Sequence, residues 1–306
     1  MNKEIENISN PKKELLFIIV ATILGFICSQ IIVGSYLAVY YYFSGLGLEN
    51  LSQITSNPSM RIHFLVLQSI TSFIVFFLAP YLYVKHYDHT LAHILSFKQI
   101  KGYPIFLIIF LMLFFIFFNV IVIEWNKNII LPDALNFFEK FAKARELELE
   151  KLTYFLISFE NFGQYIIGIF AVAIIPGFCE EYLFRGLVQT KLNSITNNIH
   201  VAIWLSAFFF SFFHLQFYGL VPRMLLGVLF GYIYFFSGNL FYAMLAHFIN
   251  NFISLTIFYL AHTGVIGFSV EEINNFETSL LLSFVSLIVV FFLLKLLISH
   301  LVYAKK

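Results

Sequence analysis

Eight apolar stretches, most of them long enough to cross a lipid bilayer, constrain this chain more than any other feature. They lie near residues 15–42, 62–84, 103–125, 163–190, 199–217, 221–236, 240–261 and 279–302. A spanning α-helix needs roughly 17–25 mostly apolar residues, and helices satisfy their own backbone groups inside lipid. Of the 306 residues, 60% are hydrophobic and 11% are charged, which is more apolar than a soluble domain requires. The sequence therefore predicts an integral, multi-pass membrane protein.

The predicted fold class is all-α, a polytopic bundle of about eight transmembrane helices in which the sixth, at 221–236, is short. The break at 126–162 differs from the spans, because charged residues alternate with Leu and Phe at helical spacing. This pattern predicts an amphipathic helix that lies at the membrane interface. No repeat of fixed period is visible, so we expect one bundled domain.

The charge of the chain limits its partners. The formal net charge is +1, and the basic residues lie in hydrophilic breaks without the basic face of a nucleic-acid binder. Nucleic acid is therefore excluded as a partner, and the lipid bilayer is expected as one. We expect an integral membrane location, which is the plasma (inner) membrane if the chain is bacterial.

A cluster of charges interrupts the fourth apolar stretch. The segment PGFCEEYLFRG places Glu180, Glu181 and Arg185 within six positions. A charge at the centre of a spanning helix costs about 2.5–3.5 kcal/mol on insertion scales, so three facing lipid would cost about 7–10 kcal/mol. We therefore expect the three side chains to face the protein interior.

Helical geometry gives the two glutamates of this segment different surroundings. Glu181 and Arg185 are four residues apart and share a helix face, so they can form an ion pair. Glu180 lies about 100° around the helix from Glu181, where the arginine does not easily reach it. Pro176 cannot donate a hydrogen bond to the carbonyl of Val172, which predicts a kink just before the carboxylates.

Two later stretches carry isolated histidines. His214 lies near the end of the fifth stretch, and His247 lies well inside the seventh. Asn251 follows His247 by one helical turn, and Asn250 follows it by three positions, so an amide can share the face of the imidazole. A carboxylate, two imidazoles and an amide that converge from three helices are suited to hydrolysis of an amide bond by activated water.

These residues resemble the motifs of the CPBP family of intramembrane proteases, which includes CAAX proteases and bacteriocin-processing enzymes and is also described as the abortive-infection type. EEYLFR (180–185) reads as EExxxR, FSFFH (210–214) as FxxxH and HFINN (247–251) as HxxxN. FxxxH also occurs at 258–262, so the specificity comes from the glutamate doublet and the order of the motifs. The resemblance covers about residues 163–255.

The resemblance implies an intramembrane endopeptidase that hydrolyses a peptide bond of a membrane-associated protein or peptide. It implies that Glu180 and His214 hold the attacking water, and that His247 and Asn251 stabilise the oxyanion. It also implies that Glu181 and Arg185 support the site. The implied catalytic residues are Glu180, Glu181, Arg185, His214, His247 and Asn251.

The same residues suggest a second interpretation that involves a metal. Glu180, His214 and His247 are candidate zinc ligands, since two histidines and a glutamate match a catalytic zinc site with an open position for water. The family is commonly described as metalloproteases. However, no HExxH motif occurs on one helix, and water activated by glutamate explains the same residues. We therefore prefer metal-free hydrolysis slightly.

Two other classes of function remain alternatives. A proton-coupled transporter also uses ionisable residues inside the membrane, but no inverted repeat is evident and the polar residues gather in one half of the chain. A non-catalytic scaffold or immunity protein would keep the same fold. We divide the chain into N-terminal helices with the amphipathic segment (1–162), a CPBP-type catalytic core (163–261) and a C-terminal helix (262–306).

Overall fold

The structure, a computed structural model, describes residues 10–44, 57–87, 100–269, 272 and 279–303. The regular secondary structure in these ranges is helical, which confirms the predicted all-α class. The α-helices are α1 (Pro11–Ser44), α2 (Arg61–Phe73), α3 (Ala79–Tyr87), α4 (Gly102–Lys127), α5 (Asn136–Ile157), α6 (Phe162–Gly168), α7 (Ile175–Glu181), α8 (Thr190–Thr196), α9 (Ile199–Phe212), α10 (Leu220–Ser237), α11 (Leu240–His262) and α12 (Leu280–Tyr303).

Two spans consist of α-helices joined by π-helical turns, in which the hydrogen bonds run to the fifth residue. The turn Ile74–Leu78 joins α2 to α3. The turns Ile169–Ile174 and Tyr182–Gln189 join α6, α7 and α8 into one span, Phe162–Thr196. Such turns are frequent at functional sites. Here they flank α7, the helix that carries the glutamate doublet.

Within the described ranges, seven helices are long and apolar enough to cross a membrane, so the chain is an integral, multi-pass membrane protein. The predicted shortness of the sixth stretch is wrong, because that stretch belongs to a span of 21 residues, Phe217–Ser237. The short helix is α9, which has 14 residues. At 1.5 Å per residue it extends for about 21 Å, less than the hydrocarbon core of about 30 Å.

The amphipathic helix predicted in the break at 126–162 is present as α5. Among its residues only Ala142 is buried, and its exposed face carries ion pairs such as Lys143 with Glu139 (2.5 Å). The Lys143 ammonium group holds the pKa of the Glu139 carboxyl below its usual range. The helix thus covers the bundle without being part of the core, and its predicted place at the membrane interface stays a prediction.

The core of the bundle forms around α11. This helix packs against α4 and α10 and also against α7 with its preceding π-helical turn, while α4 packs along α12 and α9 packs along α10. One apolar cluster joins α4, α10, α11 and α12. The glutamate doublet at the end of α7 therefore lies where α7, α9, α10 and α11 meet.

Candidate active site

The ion pair predicted from spacing in the EExxxR segment is present and fully buried. Arg185 Nη1 donates to Glu181 Oε1 at 2.7 Å, and both side chains have 0% exposure. Two charges that are buried away from water are tolerated only when they pair with each other and make further hydrogen bonds. The segment meets this requirement by facing inward, as the cost of charges in lipid predicts.

Two aromatic rings and a backbone carbonyl also contact Arg185, whose Nε has no hydrogen-bond partner within the described residues. Its Nη2 donates to the carbonyl oxygen of Gly227 on α10 at 3.1 Å. Its Cζ lies 4.4 Å from the ring centroid of Phe210 and 5.3 Å from that of Phe230. Both rings present their π systems to the cation, an arrangement that stabilises a desolvated guanidinium.

The sequence analysis did not identify Gln189, which continues this polar face by one more turn. Gln189 Nε2 donates to the carbonyl of Gly231 at 3.3 Å, as Arg185 does to Gly227 one turn earlier on α10. Two signals were available: Glu181, Arg185 and Gln189 are spaced by four, and the two glycines form a small-xxx-small pair that permits close helix approach.

His247 joins the third motif to the first. Its Nδ1 donates to Glu181 Oε1 at 2.8 Å, so this oxygen accepts from both His247 and Arg185. The imidazole stacks on Phe230, with ring centroids 5.2 Å apart, and meets Phe210 edge-on at 5.8 Å. The network assigns the proton to Nδ1 and leaves Nε2 free to act on another group.

Glu180 differs from its neighbour because neither of its carboxylate oxygens makes a hydrogen bond within the described residues, whereas one oxygen of Glu181 does. Glu180 is buried at 8% exposure, and its Oε2 has no hydrogen-bond partner among the described residues. Glu181 Oε2 is also without a partner there, but the other oxygen of Glu181 accepts two hydrogen bonds. Glu180 lies at the end of α7, which packs against α11, the helix that carries His247 and Asn251.

His214 lies just beyond the C-terminus of α9, close to where the sequence placed it. Its Nδ1 donates to the carbonyl of Phe210 at 3.0 Å, and its ring meets that of Phe210 edge-on with centroids 5.3 Å apart. The next residue, Leu215, has a φ of 54°, a left-handed conformation that bulky residues rarely adopt. The turn that carries His214 is therefore strained.

Asn251 contacts the backbone that Pro176 alters. Its Nδ2 donates to the carbonyl of Val172 at 3.0 Å, and its Oδ1 accepts from Asn250 Nδ2 at 3.1 Å. Pro176 has no N–H to donate to that carbonyl. The π-helical turn Ile169–Ile174 ends just before the proline, and the kink expected before the carboxylates stays a prediction. One amide hydrogen of Asn251 remains available for another acceptor.

The motif residues are thus connected to one another to different extents in the structure. Glu181, Arg185 and His247 form one hydrogen-bonded group. His214 and His247 share the ring of Phe210 as a common wall. No hydrogen bond between Glu180 and either histidine is found in the described part of the chain, so its carboxylate is not joined to the hydrogen-bonded group of the other motif residues there.

The donor types at the site are those of a catalytic zinc centre, and each histidine is held in the manner of a metal ligand, with Nδ1 bonded to a carboxylate or a carbonyl. However, no group of three His, Cys, Asp or Glu side chains in the described ranges is arranged to hold a metal ion. The chemistry below is therefore derived from the protein's own side chains, and zinc binding by Glu180, His214 and His247 stays a prediction.

Comparison with known proteins finds a similarity for the segment that contains the motifs. Residues 162–253 match the family model described as type II CAAX prenyl endopeptidase Rce1-like, a segment that contains all three motifs. This segment is thus similar to a family of membrane endopeptidases, in agreement with the family that its motifs resemble. No curated protein and no solved structure matches the chain.

Proposed function

We propose that the chain is an intramembrane endopeptidase that cleaves a peptide bond of a membrane-associated protein or peptide, with Glu180 as the base that activates water. The observation that supports this role is the buried Oε2 of Glu180, which has no partner among the described residues. Its neighbour Glu181 is occupied by Arg185 and His247. A carboxylate without a fixed partner can accept a proton from water.

The proposed reaction balances with water as the only co-reactant. Glu180 takes one proton while the water oxygen attacks the carbonyl carbon, and His214 orients that water. The oxyanion receives hydrogen bonds from the free amide hydrogen of Asn251 and from Nε2–H of His247 in its imidazolium form, a cation that the carboxylate of Glu181 stabilises. When the C–N bond breaks, Glu180 returns its proton to the leaving amine.

The proposed substrate is anchored to the membrane, because the site lies between spanning helices. The matched family is described by its action on prenylated CAAX proteins, and we extend to this chain only the feature that such substrates share, a lipid anchor near the cleaved bond. The anchor would bring the peptide into the bundle from the bilayer. Binding energy from the lipid chain would then help to orient the scissile bond.

Termini analysis by mass spectrometry tests this proposal. Membranes that contain the wild-type chain are compared with membranes that contain Glu180→Gln, a variant that keeps the shape of the side chain but cannot take the proton. Glu150→Gln, the same change at an exposed residue of α5, serves as the control. We expect new protein termini with the wild type and the control and none with Glu180→Gln. Identical termini in all three would contradict hydrolysis and favour a non-catalytic scaffold.

A further inference from the structure

The turn that follows α9 is held by contacts outside the three motifs. It contains His214, Leu215 and Gln216 and leads into α10. Leu215 has its φ of 54°, and an L-residue in the left-handed region costs about 1–2 kcal/mol. A strained turn persists only when surrounding contacts determine its conformation. The residues that supply those contacts therefore decide where His214 lies.

The side-chain amide of Gln216 is fixed at both ends. Its Oε1 accepts from Arg223 Nη2 at 2.5 Å, and its Nε2 donates to Glu146 Oε1 at 3.1 Å. The other oxygen of Glu146 accepts from the backbone N–H of Tyr218 at 3.3 Å. Glu146 thus bonds to two residues of the segment that joins His214 to α10.

The position of Arg223 is itself unusual and is explained by this network. A cation in the first turn of a helix opposes the helix dipole, and Arg223 lies in the first turn of α10. Its side chain extends back along the helix over Gly219, where a Cβ atom would come within 2.6 Å of Nη2. Gln216 links Arg223 to the Glu146 carboxylate, a nearby negative charge that offsets the unfavourable dipole.

Glu146 belongs to α5, a helix at the periphery of the bundle. Among the residues of that helix only Ala142 is buried, and α5 lies outside the matched segment 162–253. The Glu146 carboxylate is therefore a polar contact between a peripheral helix and the turn of the catalytic core. Its two hydrogen bonds involve a charged acceptor, the stronger kind.

We propose that Glu146 is a positioning residue for His214, so that docking of the amphipathic helix α5 sets the geometry of the catalytic turn. This inference rests on the proposed function of His214. It assigns to α5 a part in catalysis that acts through Gln216 and Tyr218. An active site built from the motif helices alone would be incomplete, because the turn would relax from its strained conformation.

The test compares Glu146→Ala with Glu150→Ala, which removes an exposed carboxylate from the same helix, in the full chain reconstituted in liposomes. Hydrogen–deuterium exchange of the segment 213–219 is measured first, because it requires no substrate. We expect exchange there to rise about tenfold in Glu146→Ala, in keeping with the loss of two hydrogen bonds to a charged group, and to be unchanged in Glu150→Ala. Equal exchange in the two variants would overturn the proposal.

Kinetics then separate positioning from general stability. We expect Glu146→Ala to lower kcat about tenfold at nearly constant KM and melting temperature. Glu146→Gln keeps one acceptor oxygen, so its kcat should lie between that of the wild type and that of Glu146→Ala. The double variant Glu146→Ala with Gln216→Leu should be no slower than the worse single variant, since both act through one contact. Increased exchange with an unchanged kcat would also overturn the proposal. A wild-type chain without proteolytic activity would instead count against the proposed function, and the exchange result would still decide whether Glu146 holds the turn.

Discussion

The amide of Asn251 donates a hydrogen bond to the carbonyl oxygen of Val172 at 3.0 Å, on a helical turn where Pro176 supplies no donor. Asn251, in the last motif of the sequence, thus supplies a donor where Pro176, just before the first motif, supplies none. A buried carbonyl without a donor costs about 1–3 kcal/mol. Asn251 therefore contributes to the shape of the backbone before the glutamates as well as to any contact with substrate.

A double-mutant cycle tests this compensation. Asn251→Ala should lower the free energy of unfolding by about 1–3 kcal/mol, because the Val172 carbonyl loses the donor that Asn251 supplies. In a Pro176→Ala background the new backbone N–H can replace the amide, so the same substitution should cost less. The measurement is thermal unfolding in detergent for the four chains of the cycle. An equal loss in both backgrounds would show that the two residues are not coupled.

The three charges of the EExxxR segment should respond differently to substitution. Glu181→Gln and Arg185→Ala each leave a buried charge without its partner, which typically costs about 3–5 kcal/mol, so we expect loss of folded protein together with activity. Glu180→Gln should abolish cleavage while the protein stays folded, because Glu180 Oε2 has no partner to lose among the described residues. Melting temperature and cleavage rate are measured for all three. The reverse order of stability would require the roles of the two glutamates to be exchanged.

Close backbone contact between α7 and α11 predicts a sensitive glycine. A Cβ atom at Gly177 would lie 3.2 Å from the backbone nitrogen of Phe248 and 3.4 Å from the carbonyl oxygen of Met244. We expect Gly177→Ala to destabilise the protein by about 1–3 kcal/mol through overpacking and to lower activity, since it separates the helices that hold Glu181 and His247.

Gly34→Ala is the matched control for that variant. No heavy atom of the described residues lies within 4 Å of a Cβ atom at Gly34 in α1, and alanine is the better helix former by about 1 kcal/mol. Its melting temperature should therefore stay the same or rise. If Gly177→Ala were as stable as Gly34→Ala, the contact between α7 and α11 would not be as close as the structure indicates.

Removal of metal ions separates the two proposed mechanisms. If water is activated by Glu180 without a metal, cleavage should continue after chelator treatment and dialysis, and elemental analysis should find no bound zinc. A catalytic zinc ion would be lost together with activity, because its ligands bind it reversibly. Activity that disappears on chelation and returns with added zinc would overturn our preference for the metal-free mechanism.

The features that the sequence predicted correctly depend on local spacing. Apolar stretches of spanning length located the membrane helices, and the four-residue interval placed Arg185 beside Glu181. Local spacing also indicated that Glu180 would point elsewhere. Such predictions succeed because helical geometry alone decides which neighbouring residues share a face.

The features that the sequence did not predict depend on tertiary packing or on a turn without the usual signals. Glu146 and Gln216 are far apart in the chain and meet only because α5 docks beside the turn. The end of α9 was missed because the residues from Phe213 to Phe217 include no glycine or proline, the residues that most often mark a turn. The strained Leu215 is stabilised by contacts that no local pattern contains.

The rings of Phe210 and Phe230 show how a membrane protein can stabilise a charged side chain in its interior. In water a guanidinium group is hydrated on both faces, whereas Arg185 has these rings close to it and a carboxylate and a carbonyl at its edge. The same rings also contact His247. The two rings thus take the place of water around these groups. Unlike water, they do not reorganise as charge moves during the proposed reaction. The phenylalanine of FxxxH is therefore part of the medium of the proposed reaction.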